Sequence, residues 1–146
     1  MLTKMIDSNL ILSEDGTVVE GVKSISVESA SIPDSVTTIG KEAFSGCSFL
    51  QSIDIPDSVT TIEERAFWNC FSLQSVDIPD SVTTIEERAF WNCSSLQSVD
   101  IPDSVTTIGE GAFSNCKSLQ KIIVTPKNDF YCSIDGILFR DVLKIN

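Results

Sequence analysis

Two consecutive stretches decide the reading: IPDSVTTIEERAFWNCFSLQSVD at Ile55–Asp77 and IPDSVTTIEERAFWNCSSLQSVD at Ile78–Asp100. They differ at one position, Phe71 against Ser94. The opening IPDSVTTI also begins at Ile32 and at Ile101, so the chain repeats every 23 residues through four units. A unit this short cannot bury its apolar face alone. It must stack on copies of itself, as a solenoid does.

One unit can be followed residue by residue. Leu73, Val76 and Ile78 read as the inward side of a short strand, with Ser75 and Asp77 outward. Pro79 ends that strand because it lacks the N–H that a continued ladder needs. Asp80-Ser81 supplies turn chemistry. Val82-Thr83-Thr84-Ile85 is β-branched and extended, and Glu86–Phe90 has room for about one helical turn. Cys93 and Leu96 close the coil. Stacked coils place equivalent residues roughly 4.8 Å apart, the spacing of neighbouring strands. Core positions then become columns: Phe44, Phe67, Phe90 and Phe113 in one, and Ala43, Ala66, Ala89 and Ala112 in another.

The chain divides into an N-terminal cap at 1–31, four repeats at 32–123 and a C-terminal cap at 124–146, all within one domain. Each cap carries a hairpin pattern. One is Leu10-Ile11-Leu12, Asp15-Gly16, Val18-Val19; the other is Ile134, Asp135-Gly136, Ile137-Leu138-Phe139. Val22–Val27 also reads as a strand, off the register of the repeats, and is either part of the N-terminal cap or a degenerate repeat. The caps are the natural covers for the open ends of the sheet, which would otherwise invite aggregation.

Composition narrows the function. The 146 residues hold 10 basic and 21 acidic side chains, a net charge of −11, and 42% are hydrophobic. Such a charge repels nucleic acid and anionic membrane, and it suits basic partners or plain solubility. No apolar run approaches the ~20 residues of a membrane helix. The longest near the start, Leu10-Ile11-Leu12, falls short of a signal-peptide core of roughly 7–15 residues. The chain is therefore expected to be either intracellular or a mature fragment.

The recurring pattern Ile-Pro-x-Ser-Val-x-x-Ile-x-x-x-Ala-Phe-x-x-Cys-x-x-Leu-x-x-Ile resembles the BspA-like, or Treponema pallidum type, leucine-rich repeats. The resemblance covers Ile32–Ile123 in four copies. The tail Asn128–Phe139 also looks like a segment that follows such repeats. What the resemblance implies is a leucine-rich-repeat solenoid of α/β class. One parallel sheet would line its concave face, with short strands and single helical turns elsewhere and little long helix. It further implies protein recognition or adhesion, often at the surface of bacteria or protists, and it brings no shared catalytic residues. Unlike typical surface members, this stretch of chain is not expected to carry a signal or anchor.

Three columns are candidate sites. Asp54, Asp77 and Asp100, flanked by Ser52, Ser75 and Ser98, are expected on the concave face. Like charges opposed across strands destabilise a sheet, so the column has either a use, in receiving a basic partner or a cation, or is a solvated face copied by duplication. Asp57, Asp80 and Asp103 thicken its edge. In the last unit Lys121 and Ile123 occupy the Ser and Asp positions and end the stripe. Trp68 and Trp91, replaced by Ser45 and Ser114 in the outer units, are expected half-exposed on the flank. They are either a second binding surface or covers for neighbouring coils. Cys47, Cys70, Cys93 and Cys116 are expected as buried thiols packed as small hydrophobes; Cys132 stands apart. Glu63-Glu64-Arg65 and Glu86-Glu87-Arg88 read as a solvated face with weak ion pairs.

Nothing points to catalysis. There is no His, so the Ser-His-Asp and Cys-His arrangements are excluded. No Gly-rich phosphate loop is present, and the acidic pairs recur in copies, whereas an active site is one asymmetric constellation. No cofactor or metal is expected. The reading is a non-catalytic protein-binding or adhesion module, with host extracellular matrix or another cell surface as partner. The competing reading is a structural spacer or self-assembly unit.

Overall fold

The computed structural model describes residues 7–140. A hairpin of β1 (Leu10–Leu12) and β2 (Val18–Val22) opens the chain. Then follow β3 (Ser29–Ser31), β4 (Thr38–Ile39), β5 (Ser52–Asp54), β6 (Thr61–Ile62), β7 (Ser75–Val76), β8 (Thr84–Ile85), β9 (Ser98–Ile101), β10 (Thr107–Ile108) and β11 (Lys121–Val124). A second hairpin, β12 (Tyr131–Ile134) and β13 (Ile137–Arg140), closes it. The result is a β-solenoid of stacked coils.

Each repeat gives two strands, and these stack into two parallel ladders where one sheet was expected. The Thr-Ile strands form β2-β4-β6-β8-β10, with Thr38, Thr61, Thr84 and Thr107 in register. The Ser-x-Asp strands form β7-β9-β11 and, separately, β3-β5. The hydrogen bond from Gln74 N to Gln51 O, at 3.4 Å, spans the gap between them. Pro separates the two strands of each coil for the reason its chemistry dictates. Pro56, Pro79 and Pro102 each offer a carbonyl to the N–H three residues on, at Val59, Val82 and Val105, which closes a turn around Asp-Ser.

The expected helical turn at Glu86–Phe90 and its equivalents does not form; among the described residues there is no helix, so the α/β class gives way to all-β. The backbone shows why. Ala66, Trp68 and Cys70 donate locally, to the carbonyls of Glu63, Arg65 and Phe67. The intervening N–H groups of Arg65, Phe67 and Asn69 donate instead to Glu87, Ala89 and Trp91 of the next coil, at 3.1, 2.7 and 3.0 Å. Arg65 and Asn69 reach that geometry at φ of 55° and 59°, outside the right-handed helical region. Alternate donors thus serve the neighbouring coil, and a helix, which uses every donor internally, is excluded.

The Val22–Val27 strand is also absent. β2 ends at Val22 and the chain turns at Ile25-Ser26. Gln51 N donates to Glu28 O, so Glu28 stands at the Gln51 position and buried Val27 at that of Leu50.

The core follows the columns. Phe44, Phe67 and Phe90 are fully buried. Their rings stack at 5.2 and 5.0 Å, and Phe113 continues the stack at 5.3 Å, every pair within 6° of parallel. Truncating one such ring to Ala costs about 3–5 kcal/mol, because transfer energy is lost and a cavity is left. Both hairpins found in the cap sequences form. At the C-terminal end the Tyr131 hydroxyl accepts the N–H of Ile108, on the outermost Thr-Ile strand, at 2.7 Å.

Candidate functional site

The Ser-x-Asp ladder sets out the acidic column. Ser52, Asp54, Ser75, Asp77 and Asp100 are exposed and Ser98 is half-buried. Ser75 registers with Ser98 and Val76 with Val99, so inward Val and outward Ser alternate as the strand period requires. Towards the N-terminus Ser31 takes the Asp position, and its hydroxyl donates to the Asp54 carboxylate at 3.4 Å. At the other end Lys121 registers with Ser98 and Ile123 with Asp100, which terminates the column. Asp34, Asp54 and Asp57 border one open depression, with Ile55, Pro56 and Ser58. Asp57 thus lies beside Asp54 at that depression. Asp103 instead accepts a hydrogen bond from the Thr125 hydroxyl. Among the described residues, no group of three or more His, Cys, Asp or Glu is placed to hold a metal ion.

The tryptophans are half-buried on the turn side of the coil. Trp68 and Trp91 stack at 5.6 Å and 12°. Arg65 lies over the first indole at 4.9 Å and Arg88 over the second at 5.6 Å. Asn92 Nδ2 donates to Asn69 Oδ1 at 3.0 Å beside them. Arg65 also meets Glu64 and Glu42, both at 3.6 Å, and Arg88 meets Glu87 at 3.1 Å. These pairs are solvent-facing and contribute little each. The flank is a tiled surface in which each indole covers its neighbour and is itself covered by a guanidinium.

The four repeated thiols are buried. Cys70, Cys93 and Cys116 each donate to the carbonyl of Phe44, Phe67 and Phe90 in the preceding coil, at 3.2 Å. Burial pushes the Cys47 thiol up to about 11 and raises Cys70 further. Cys93 is raised by its contact with the Cys116 thiol and by burial. All three remain neutral near pH 7 and pack as apolar groups. In the N-terminal hairpin, hydrogen bonds from the Thr17 side chain and backbone hold the Asp15 carboxyl below its usual range.

Two residues not singled out from the sequence organise the C-terminal cap. Asn128 is fully buried. Its Nδ2 donates to Pro102 O and Val105 O at 2.9 and 3.0 Å, and its Oδ1 accepts from Phe130 N and Tyr131 N at 2.9 Å each. Tyr131 then reaches Ile108 as described above. The sequence signal was the non-repeated Asn following Pro126, whose role only the fold reveals.

A stacked β-solenoid with a 23-residue period, buried Phe, Cys and Leu columns and exposed Ser-x-Asp strands defines a leucine-rich repeat. Residues 22–143 match the family of BspA type leucine rich repeat regions in six copies, and the chain belongs to that family. A crystal structure of a T. pallidum leucine-rich-repeat protein is similar at 40% identity and a TM-score of 0.66, over 67% of this chain and 46% of that one. A leucine-rich-repeat protein from Bacteroides ovatus is similar at 31% identity and a TM-score of 0.69, over 82% and 33% of the two chains. The pneumococcal vaccine antigen PcpA is similar at 26% identity and a TM-score of 0.62, over 90% and 37%. The chain thus spans less than half the length of each of these three proteins. No curated protein matches the sequence.

Proposed function

We propose that the chain is a non-catalytic protein-binding module of adhesion type, displayed at a cell surface. Its contact face is the Ser-x-Asp ladder, taken as the concave side of the solenoid, with Ser52, Asp54, Ser75, Asp77, Ser98 and Asp100 meeting the partner and Trp68/Trp91 forming a secondary surface. Leucine-rich-repeat domains generally mediate protein–protein interactions, and a similar structure is that of a vaccine antigen. The observation that carries the reading is the exposure of Asp54, Asp77 and Asp100 at one register position of adjacent coils. Within β3-β5 and within β7-β9-β11 the backbone pairs coil to coil, so along each ladder the side chains are what the face offers. In a chain of net charge −11, a partner with a basic surface would be steered to it.

The test is the triple change Asp54→Asn, Asp77→Asn, Asp100→Asn. These nearly isosteric variants remove charge without removing volume. Binding to immobilised extracellular-matrix proteins, measured by surface plasmon resonance at low and high salt, should weaken by tenfold or more. The remaining binding should lose most of its salt dependence. Unchanged binding and salt slope would refute the acidic face as the contact.

A further inference from the structure

The single difference between the two near-identical repeats lies on the surface. Phe71 is 41% exposed where its twin is Ser94, and in the preceding coil Phe49 is 58% exposed at the position of Ser72 and Ser95. Ile25, 59% exposed, joins them in the coil before that. The hydrogen bonds of Gln51 N to Glu28 O and Gln74 N to Gln51 O set the register. Counting back from Glu28, Gln51 and Gln74 puts Ile25, Ser48 and Phe71 in one column, and Ser26, Phe49 and Ser72 in the next. Ser72 Oγ donates to Ser48 O at 2.6 Å, which ties the turn carrying Phe71 onto the turn carrying Phe49. The three apolar side chains therefore form a zigzag across three coils, about 10 Å along the axis at the strand spacing. Beyond it both columns turn polar, as Ser94-Ser95 and then Lys117-Ser118. Exposed apolar residues scattered singly are ordinary, whereas three on successive coils bounded by polar columns mark a candidate contact.

Its position around the coil says what it contacts. Cys70, Leu73 and Val76 are buried, while Phe71, Gln74 and Asp77 face out. Along each coil the zigzag therefore precedes the Asp column on the exposed perimeter, with the Gln51, Gln74 and Gln97 column between them. We propose that Ile25, Phe49 and Phe71 form the apolar anchor of the acidic face. Together the two take an extended segment of a protein partner that carries a large apolar side chain followed by Lys or Arg. This rests on the protein-binding reading above and names the partner's chemistry. A second copy of the chain is disfavoured as occupant. With −11 on each molecule, like patches could meet only by bringing the flanking acidic columns together.

The probe is a displayed library of random dodecapeptides selected on the full chain. Enriched peptides are then synthesised and titrated against wild type, Phe49→Ser/Phe71→Ser, and Asp54→Asn/Asp77→Asn/Asp100→Asn. Ser is native at both Phe positions in sister coils, so the fold is retained, and thermal melting verifies it. Enriched peptides should combine an aromatic or large aliphatic residue with Lys or Arg. The Phe variant should lose at least about tenfold in affinity, as at an interface anchor, and the Asp variant should lose affinity mainly at low salt. Loss with the Asp variant alone overturns the apolar anchor and leaves the protein-binding reading standing. Loss with the Phe variant alone overturns the cationic partner, and loss with neither removes both. An empty selection overturns the proposal. So does a wild-type dimer in light scattering that the Phe variant dissolves, since the patch would then belong to a second copy.

Discussion

Replacing Asn128 with Ala should unlock the C-terminal cap, and the size of the effect follows from four contacts. The side chain is fully buried, donates twice, to Pro102 and Val105, and accepts twice, from Phe130 and Tyr131. Its removal leaves four backbone groups to find other partners, at a total cost of about 3–5 kcal/mol. For a chain of this size that corresponds to a fall in melting temperature on the order of 10 °C. Coils in a solenoid contact only their neighbours, so the first loss should be local. Amide exchange should accelerate at Phe130, Tyr131 and the β12–β13 hairpin before it does at Phe67. Asn128→Asp sharpens the test, because an oxygen would replace Nδ2 opposite two carbonyls. Burial raises the folded pKa of such a carboxyl above its unfolded value near 3.9. The protonated variant is then the better-tolerated form, and stability is lost as pH rises through the folded value. The deficit of the Asp variant relative to wild type should therefore narrow on acidification towards pH ~4. An Ala variant melting within ~2 °C of wild type, with unchanged exchange in the hairpin, would refute the account.

Other outcomes follow from the same contacts. Gly109→Ala drives a Cβ into the backbone of Glu86 and Glu87, which must shift to admit it; the denaturation midpoint should fall by the equivalent of about 1–3 kcal/mol, and an unchanged midpoint would contradict the close approach. A thiol reagent should modify half-exposed Cys132 first and the four buried cysteines only on unfolding; five equal rates would contradict the burial. Because the Cys47 thiol is raised from 9.0 to about 11, its contribution to stability is intact below pH 9 and is lost between 9 and 11 as the unfolded chain ionises first. The alkaline fall in melting temperature should be shallower in Cys47→Ala. Trp68→Ser, the residue native at the equivalent Ser45 and Ser114, should abolish the indole exciton signal in circular dichroism at a cost of about 1 kcal/mol. A signal that persists would place the coupled chromophores elsewhere.

The repeat made the core readable. A residue that recurs every 23 positions must either stack inward or stand outward, and Phe67, Ala66, Cys70 and Leu73 were assigned inward on chemistry alone. The half-exposure of the tryptophans was also readable, because Trp68 gives way to Ser in the outer coils and a packed column does not tolerate that change. The helical turn was misread for a physical reason. Glu-Glu-Arg-Ala-Phe has good intrinsic helix preference, but the next coil offers a carbonyl to every second N–H, and that regular pairing overrides local preference. The Thr-Ile segments are legible as extended, Val82–Ile85 among them, but their pairing into a second parallel ladder is not, because two-residue strands carry too little period to show which side they pair on. Asn128 and Tyr131 were beyond reach because each acts on a coil more than 20 residues earlier. Of the acidic face, the register was legible; the apolar zigzag beside it was not, since Ile25, Phe49 and Phe71 occupy two columns and align only once the coils are stacked.

The alternation of local and coil-to-coil donors has a mechanical corollary. Pulled along its axis, the solenoid loads the bonds between coils one layer at a time, as a zipper does, with no long strand pair held in shear. Each released coil would free 23 residues, about 80 Å of contour. The near-identical middle coils should yield at nearly the same force. Resistance would then reside in whatever locks the two ends, and a molecule so built lengthens in equal steps under load while its remaining coils stay folded.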